Sequence, residues 1–168
     1  MLRPISSRRG QAMLEFTLVA VPFLFVIISL FWMCLGMWEY HTLAEAVNYT
    51  ARSASVHGAG CVGQTCATTV ESTAQALAAS AIGLPANQLN VTLTSTASTV
   101  TCNPLTSCYS NAAAWPSLAG NSPAASASIS IAATFQFSSA ISLWIPGLQS
   151  MQFSPVTLGA QAQEPIVF

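Results

Sequence analysis

The dominant feature of the hydropathy pattern is an apolar run near the N-terminus, where residues 12–38 contain a single charged residue, Glu15. As an α-helix this run would be ~40 Å long, which exceeds the ~30 Å hydrocarbon core of a bilayer. It is also longer than the roughly 7 to 15 apolar residues of a secretory signal peptide, although Ala44-Glu45-Ala46 has the form of a signal-peptidase site. We therefore expect a transmembrane helix over residues 11–38.

A helical period continues beyond this run and predicts that the helix extends over residues 39–57. The apolar residues of one face recur at spacings of three and four: Tyr40, Leu43, Val47, Ala51 and Ala54. A second, shorter helix follows, with Thr68-x-x-Glu71 in capping-box form at its start and Gly83 and Pro85 after its end. Its predicted buried face consists of Val70, Ala74, Leu77 and Ala81.

After Gly83 the apolar residues alternate with polar ones, which is typical of half-buried strands. The alternation covers residues 89–93, 129–137 and 151–162, and its parity slips at Ser154-Pro155, as at a bulge or break in an edge strand. We expect an α+β domain in which a small antiparallel sheet of about three strands packs on the outer half of the long helix. Residues 94–128 are predicted to form a long loop and are our candidate for adhesion. Residues 138–149 form an apolar connection that covers the core or contacts another subunit.

The few charges are sorted along the chain. The chain has four arginines and five glutamates, with no lysine or aspartate, and Arg3, Arg8 and Arg9 all precede the apolar run. The positive-inside rule then predicts a cytoplasmic N-terminus and places residues 58–168 on the other side of the membrane. The chain lacks the basic surface that nucleic-acid binding requires. So few titratable groups also argue against an acid-base enzyme, and we predict neither a cofactor nor a small-molecule substrate.

The five cysteines fall into two groups. Cys34 lies within the predicted membrane helix and is interpreted as a small packing residue. Two close pairs, Cys61 with Cys66 and Cys102 with Cys108, are predicted to form disulfides on the oxidising side of the membrane. Two alternatives are a zinc site that includes His57 and a thiol enzyme that uses Cys61 with His57, but the spacing and the absence of an orienting group disfavour both.

The N-terminal quarter of the chain resembles a known family. The sequence RRGQAMLEF at residues 8–16, followed by the apolar run, resembles the leader and N-terminus of TadE-like minor pilins of the tight-adherence branch of the type IV pilus superfamily. The small residues at 43–47 that lead to Ala51-Arg52 resemble the segment that follows the membrane helix in these proteins. Residues 158–164 resemble their closing strand.

The resemblance implies a processing site and a set of partners. Residues 1–10 would be a basic leader that a prepilin peptidase removes by cutting between Gly10 and Gln11. Glu15 would become the fifth mature residue and pair with the N-terminal amine of a neighbouring subunit. The implied partners are the lipid bilayer, other tight-adherence pilins and the inner-membrane assembly platform. The protein would lie in a bacterial inner membrane, with a periplasmic outer domain, and would either enter an extracellular pilus or prime or cap its assembly.

Two alternatives follow from the residues alone. Glu15 lies close enough to the start of the helix to contact lipid headgroups and to favour the positive end of the helix dipole without any processing. The whole chain would then be an unprocessed single-pass membrane protein with an envelope binding domain.

Thiol titration tests the cysteine assignment. Unreduced protein under denaturing conditions is expected to show one reactive thiol, Cys34, and full reduction is expected to reveal all five cysteines. Five reactive thiols before reduction would exclude both disulfides.

Overall fold

The computed structural model describes residues 8–57, 68–117, 127–138, 142–143, 151–152 and 155–166. They divide into two compact units, one that ends at Met37 and one that begins at Trp38. Helix α1, Arg8–Val56, contributes to both units, and helix α2 is Val70–Ser80. The remaining elements are the strands β1 (Leu89–Thr94), β2 (Thr99–Cys102), β3 (Ser128–Phe137), β4 (Ser142–Leu143), β5 (Met151–Gln152) and β6 (Val156–Pro165), with a 3-10 turn η1 at Leu105–Cys108.

The first unit is the apolar part of α1. An 18-residue window within the helix has a mean hydropathy of 2.7, and no residue of that window is buried by other parts of the protein. The side-chain hydroxyls of this stretch are satisfied within the helix: Thr17 donates to the carbonyl oxygens of Met13 and Leu14, and Ser29 donates to that of Phe25. The helix is a candidate membrane span by length and composition.

The second unit is an α+β domain with one hydrophobic core, as the periodicities predict. Its four-stranded antiparallel sheet has the strand order β2-β1-β3-β6, and β4 and β5 form a separate pair. Burial alternates along β1 and β3, so one face of the sheet is buried and the other is polar. The core combines side chains of the two helices and the sheet, at positions whose spacing predicted burial. They are Leu43, Val47 and Ala51 from α1, Val70, Ala74 and Leu77 from α2, and Leu89, Val91, Leu93, Ile129 and Ile131 from the sheet.

The buried face of the outer part of α1 differs from the predicted stripe. Tyr40 is exposed, whereas Ala46 and Thr50 are buried between the expected positions. The hydroxyl of Thr50 donates to the Ala46 carbonyl at 2.8 Å, so its burial leaves no polar group unsatisfied. The buried face is therefore wider than the predicted stripe, because it also includes a small residue, Ala46, and a hydroxyl-bearing residue, Thr50.

The described part of the predicted loop at residues 94–128 contains regular structure. It contains β2 and η1, and Trp115 lies fully buried in the core. The Cys102–Cys108 disulfide joins the end of β2 to the end of η1, with 5.6 Å between the two Cα atoms. Strand β2 lacks an apolar alternation because it is a short edge strand with mostly hydroxyl-bearing residues, and it was missed for that reason. The expectation of a continuous loop is therefore wrong for residues 99–108, and adhesion by this segment stays a prediction.

The third predicted strand is two strands. Strand β5 ends at Gln152 and β6 begins at Val156, so the expected break around Ser154-Pro155 is confirmed, although Ser154 itself lies outside the described residues. The pairing registers of β3–β6 and β4–β5 differ by one residue. Val156 is exposed rather than buried. Of residues 138–149, the structure describes only 138 and 142–143.

The cap of α2 lies one residue later than predicted. Thr69 is the N-cap: its hydroxyl accepts from the Ser72 backbone N–H at 3.1 Å, and the Ser72 hydroxyl accepts from the Thr69 backbone N–H at 2.8 Å. Thr68 instead donates its hydroxyl to the carbonyl oxygens of His57 and Trp115. Serine replaces the usual Glu or Gln in this capping box, and for that reason the Thr68-x-x-Glu71 pattern was misleading.

This assignment can be tested by unfolding. We expect Thr69→Ala to lower the free energy of unfolding of the outer unit by about 1 kcal/mol, because the backbone N–H of Ser72 loses its acceptor. The matched variant Glu71→Gln should change it by less than about 0.5 kcal/mol. Urea titration in detergent micelles, followed by tryptophan fluorescence, measures both, and a larger loss for Glu71→Gln would contradict the assignment.

Candidate functional site

The predicted processing junction lies in the first turns of α1. Gly10 and Gln11 are helical and exposed. A Cβ atom added to Gly10 would meet nothing within 4 Å, and the backbone there is not left-handed. Glycine within a helix costs about 1 kcal/mol relative to alanine. Neither packing nor backbone conformation therefore requires a glycine at position 10. The reason for this glycine must lie in an interaction with another molecule.

The leader arginines are described only in part. Arg8 and Arg9 are helical, but their side chains lie outside the description, as does the whole of Arg3. Gly10, Gln11 and Glu15 follow one another within about one and a half turns of one helix. The structure therefore keeps the predicted junction and carboxylate close together.

Glu15 is the charged residue of the apolar stretch. Its side chain is exposed and forms no hydrogen bond or ion pair with any residue whose side chain the structure describes. A carboxylate in a membrane core costs about 2.5 kcal/mol or more. The neighbouring hydroxyl of Thr17 is already satisfied by the helix backbone and does not offset this cost. Glu15 therefore requires a headgroup, water or a cation from another molecule.

Arg52 is the only cationic side chain of residues 11–168, apart from the two histidines if protonated, and it pairs within its own unit. Its Nε lies 3.6 Å from Oε1 of Glu164, and their side chains are 77% and 29% exposed. Glu164 has the same parity along β6 as Leu158, Ala160 and Ala162, so it continues the inward-facing row at the end of the strand. The sequence pattern did not reveal this pairing, because it depends on which end of β6 lies near α1.

The other predicted residues lie away from the junction. Cys102 and Cys108 are disulfide-bonded and buried in the second unit, and Cys34 is a free, exposed cysteine of α1. Cys61 and Cys66 lie outside the described residues, so their pairing remains a prediction. Nδ1 of His57 lies 3.0 Å from the Ser53 carbonyl oxygen. Within the described ranges, no three His, Cys, Asp or Glu side chains are grouped as metal ligands.

These features define a class of protein, in which one candidate membrane-spanning helix leads into a small α+β domain. The family model described as TadE-like protein matches residues 10–52, about a quarter of the chain. The matched stretch begins at Gly10 and ends at Arg52, so the expected resemblance to TadE-like proteins is confirmed over these residues. No curated protein and no solved structure matches the chain.

The Arg52–Glu164 pair is expected to contribute little to stability. Because Arg52 is mostly exposed, solvent screens the pair, and the coupling energy between Arg52→Gln and Glu164→Gln should be below about 1 kcal/mol. A double-mutant cycle of urea unfolding in detergent measures it directly. A coupling of several kcal/mol would show that the pair is a structural requirement of the fold.

Proposed function

We propose that this protein is a minor pilin or pseudopilin that takes part in assembly of a tight-adherence type IV pilus. A prepilin peptidase cuts it between Gly10 and Gln11 and removes the arginines of the leader. The precursor lies in a bacterial inner membrane with its N-terminus in the cytoplasm and its α+β domain in the periplasm. Other tight-adherence pilins and the inner-membrane assembly platform receive the processed subunit and incorporate it into the fibre.

The observation that carries this proposal is the unpartnered carboxylate of Glu15 within the TadE-like stretch. It lies five residues after a glycine for which the fold has no use. Cleavage there leaves two groups that carry positive charge at neutral pH, the new α-amine of Gln11 and the guanidinium of Arg52. Arg52 is beside Glu164 in the other unit. The α-amine of a neighbouring copy is therefore the cation best suited to Glu15.

The pairing of these two charges would also set the stagger between subunits. Two charges in an apolar surrounding are tolerated when they are paired, and removal of one partner is strongly unfavourable. A helix with one carboxylate and one amine, four residues apart, can satisfy both only at a defined axial offset from its neighbour. Assembly thus depends on the position of Glu15 as well as on its charge.

The uncovered apolar side chains of α1 support the same function. Bulky residues from Met13 to Met37 are exposed over the length of the stretch, with no part of the described chain covering them. Lipid covers such a surface before assembly, and the helices of other subunits cover it in a fibre. In this proposal the protein works by packing and performs no reaction of its own.

Replacement of the carboxylate tests this function. We expect Glu15→Gln to reach the membrane in normal amount but to lower incorporation into sheared fibres by at least about tenfold, because the neighbouring amine would be buried without its partner. Quantitative immunoblotting of membrane and fibre fractions measures both steps. The matched control Thr17→Val alters a polar side chain of the same stretch whose hydrogen bonds are internal to the helix, and should assemble normally.

Normal incorporation of Glu15→Gln would contradict the assembly role of the carboxylate. Absence of the wild-type protein from fibres, together with an intact arginine-rich N-terminus, would instead support the alternative of an unprocessed membrane protein with an envelope binding domain.

A further inference from the structure

A groove of about 350 Å³ lies in the second unit, between α1 and the turn that follows α2. Its lining includes Trp38, Thr42, Glu45 and Tyr49 from α1, together with Ser80 and Ile82. The four α1 residues are spaced by four, three and four, so they form one stripe along ~16 Å of the helix. Tyr49 is 62% exposed and Ile82 is 71% exposed. The groove therefore combines an exposed ring, an exposed aliphatic side chain and a carboxylate.

The carboxylate of Glu45 is the unpartnered polar group of this groove. The Thr42 hydroxyl donates to the Trp38 carbonyl oxygen at 2.8 Å, and the Ser80 hydroxyl donates to the Ala76 carbonyl oxygen at 2.9 Å. Both hydroxyls are therefore satisfied by the backbone of their own helix. Glu45 is exposed and forms no hydrogen bond or ion pair with any residue that the structure describes. The groove thus presents one negative charge to another molecule.

The cations of the second unit do not occupy the groove. This unit contains four glutamates and one arginine, Arg52, which pairs with Glu164 at 3.6 Å. His41 borders a neighbouring groove that Glu45 and Arg52 also line, and it forms no ion pair with Glu45. A second copy of the chain would bring the same Arg52, which already has a partner. The cation that complements Glu45 therefore comes from a different protein.

The neighbours of Glu45 favour arginine over lysine as this cation. Side chains on a helix lean toward its N-terminus, so the ring of Tyr49 covers the turn that carries Glu45. A guanidinium group is planar and can donate to a carboxylate while it stacks on an aromatic ring, whereas an ammonium group is compact and more strongly hydrated. The methylene groups of an arginine side chain also pack well on an aliphatic surface such as that of Ile82.

We propose that this groove binds an arginine side chain that a partner protein presents on its surface. The guanidinium group donates to the carboxylate of Glu45 and stacks on the ring of Tyr49, and the methylene groups pack against Ile82. The partner is a protein other than this chain, because the arginine of the second unit is already paired. This inference concerns the second unit alone and depends neither on cleavage after Gly10 nor on the pilus role.

Fluorine NMR of the full-length protein in phosphatidylcholine nanodiscs tests this binding. The chain has three tyrosines, so labelling with 3-fluorotyrosine gives three resonances, and Tyr49→Phe identifies that of Tyr49. The probe is Nα-acetylarginine amide, and its comparators are the amides of Nα-acetylcitrulline, which has the same shape without the charge, and Nα-acetyllysine. Glu45→Gln is compared with the matched variant Glu71→Gln, whose carboxylate lies outside the groove. An unchanged resonance of Tyr109, which packs against the core, confirms that each variant is folded.

We expect the arginine probe to shift the Tyr49 resonance saturably, with a Kd in the millimolar range. Glu45→Gln should raise this Kd at least about fivefold, and Glu71→Gln should leave it unchanged. The citrulline and lysine amides should bind at least about threefold more weakly than the arginine amide.

The absence of a saturable shift, or an equal Kd for Glu45→Gln and wild type, would overturn the proposal. Equal binding of the lysine or citrulline amide would also overturn it, because the groove would then not recognise a guanidinium group. A Tyr49 resonance that moves with protein concentration in the absence of probe, and no longer does so in Arg52→Gln, would identify a second copy as the occupant and would likewise contradict it.

Discussion

The constraint on which the whole molecule depends is the apolar surface of α1. A helix satisfies its own backbone hydrogen bonds, and Thr17 and Ser29 satisfy their hydroxyls in the same way, so its first unit requires nothing polar from its surroundings. It does require those surroundings to be apolar, because the described chain covers none of its hydropathic window. In the proposed function, lipid supplies these surroundings before assembly and the helices of other subunits supply them afterwards, when Glu15 pairs with a neighbour's amine.

The outer domain folds although it has few charged residues and many small ones. It does so by sharing one core between the outer part of α1, α2 and one face of the sheet. The Cys102–Cys108 disulfide and the buried ring of Trp115 attach the connection between β2 and β3 to this core. The other face of the sheet is uncharged and is joined across β3 and β6 by hydrogen bonds such as Gln161 to Ser130 at 3.0 Å.

The sequence predicted those parts of the fold whose residues repeat with a clear period. Both helices and the strands β1, β3 and β6 follow from spacings of three and four or of two, and the α+β class follows from their order. Strand β2 has no such repeat. The capping box of α2 is formed by Thr69 and Ser72, one residue after the Thr68 and Glu71 that the sequence pattern indicated. Glu15 was visible in the sequence because it interrupts an apolar pattern, whereas the predicted processing junction after Gly10 comes from the resemblance to TadE-like minor pilins. The Arg52–Glu164 pair depends on tertiary packing, which no local pattern encodes.

The central claim is that the chain enters the membrane as a precursor and leaves it with a new α-amine opposite a neighbour's Glu15. The most direct measurement is the N-terminal residue of the wild-type protein recovered from cells, by intact mass and terminal peptide sequencing, with and without a prepilin peptidase. The account predicts Gln11 as the terminus only when the peptidase is present. An unprocessed terminus that retains the three leader arginines in both strains, or a start just after Ala46, would contradict it.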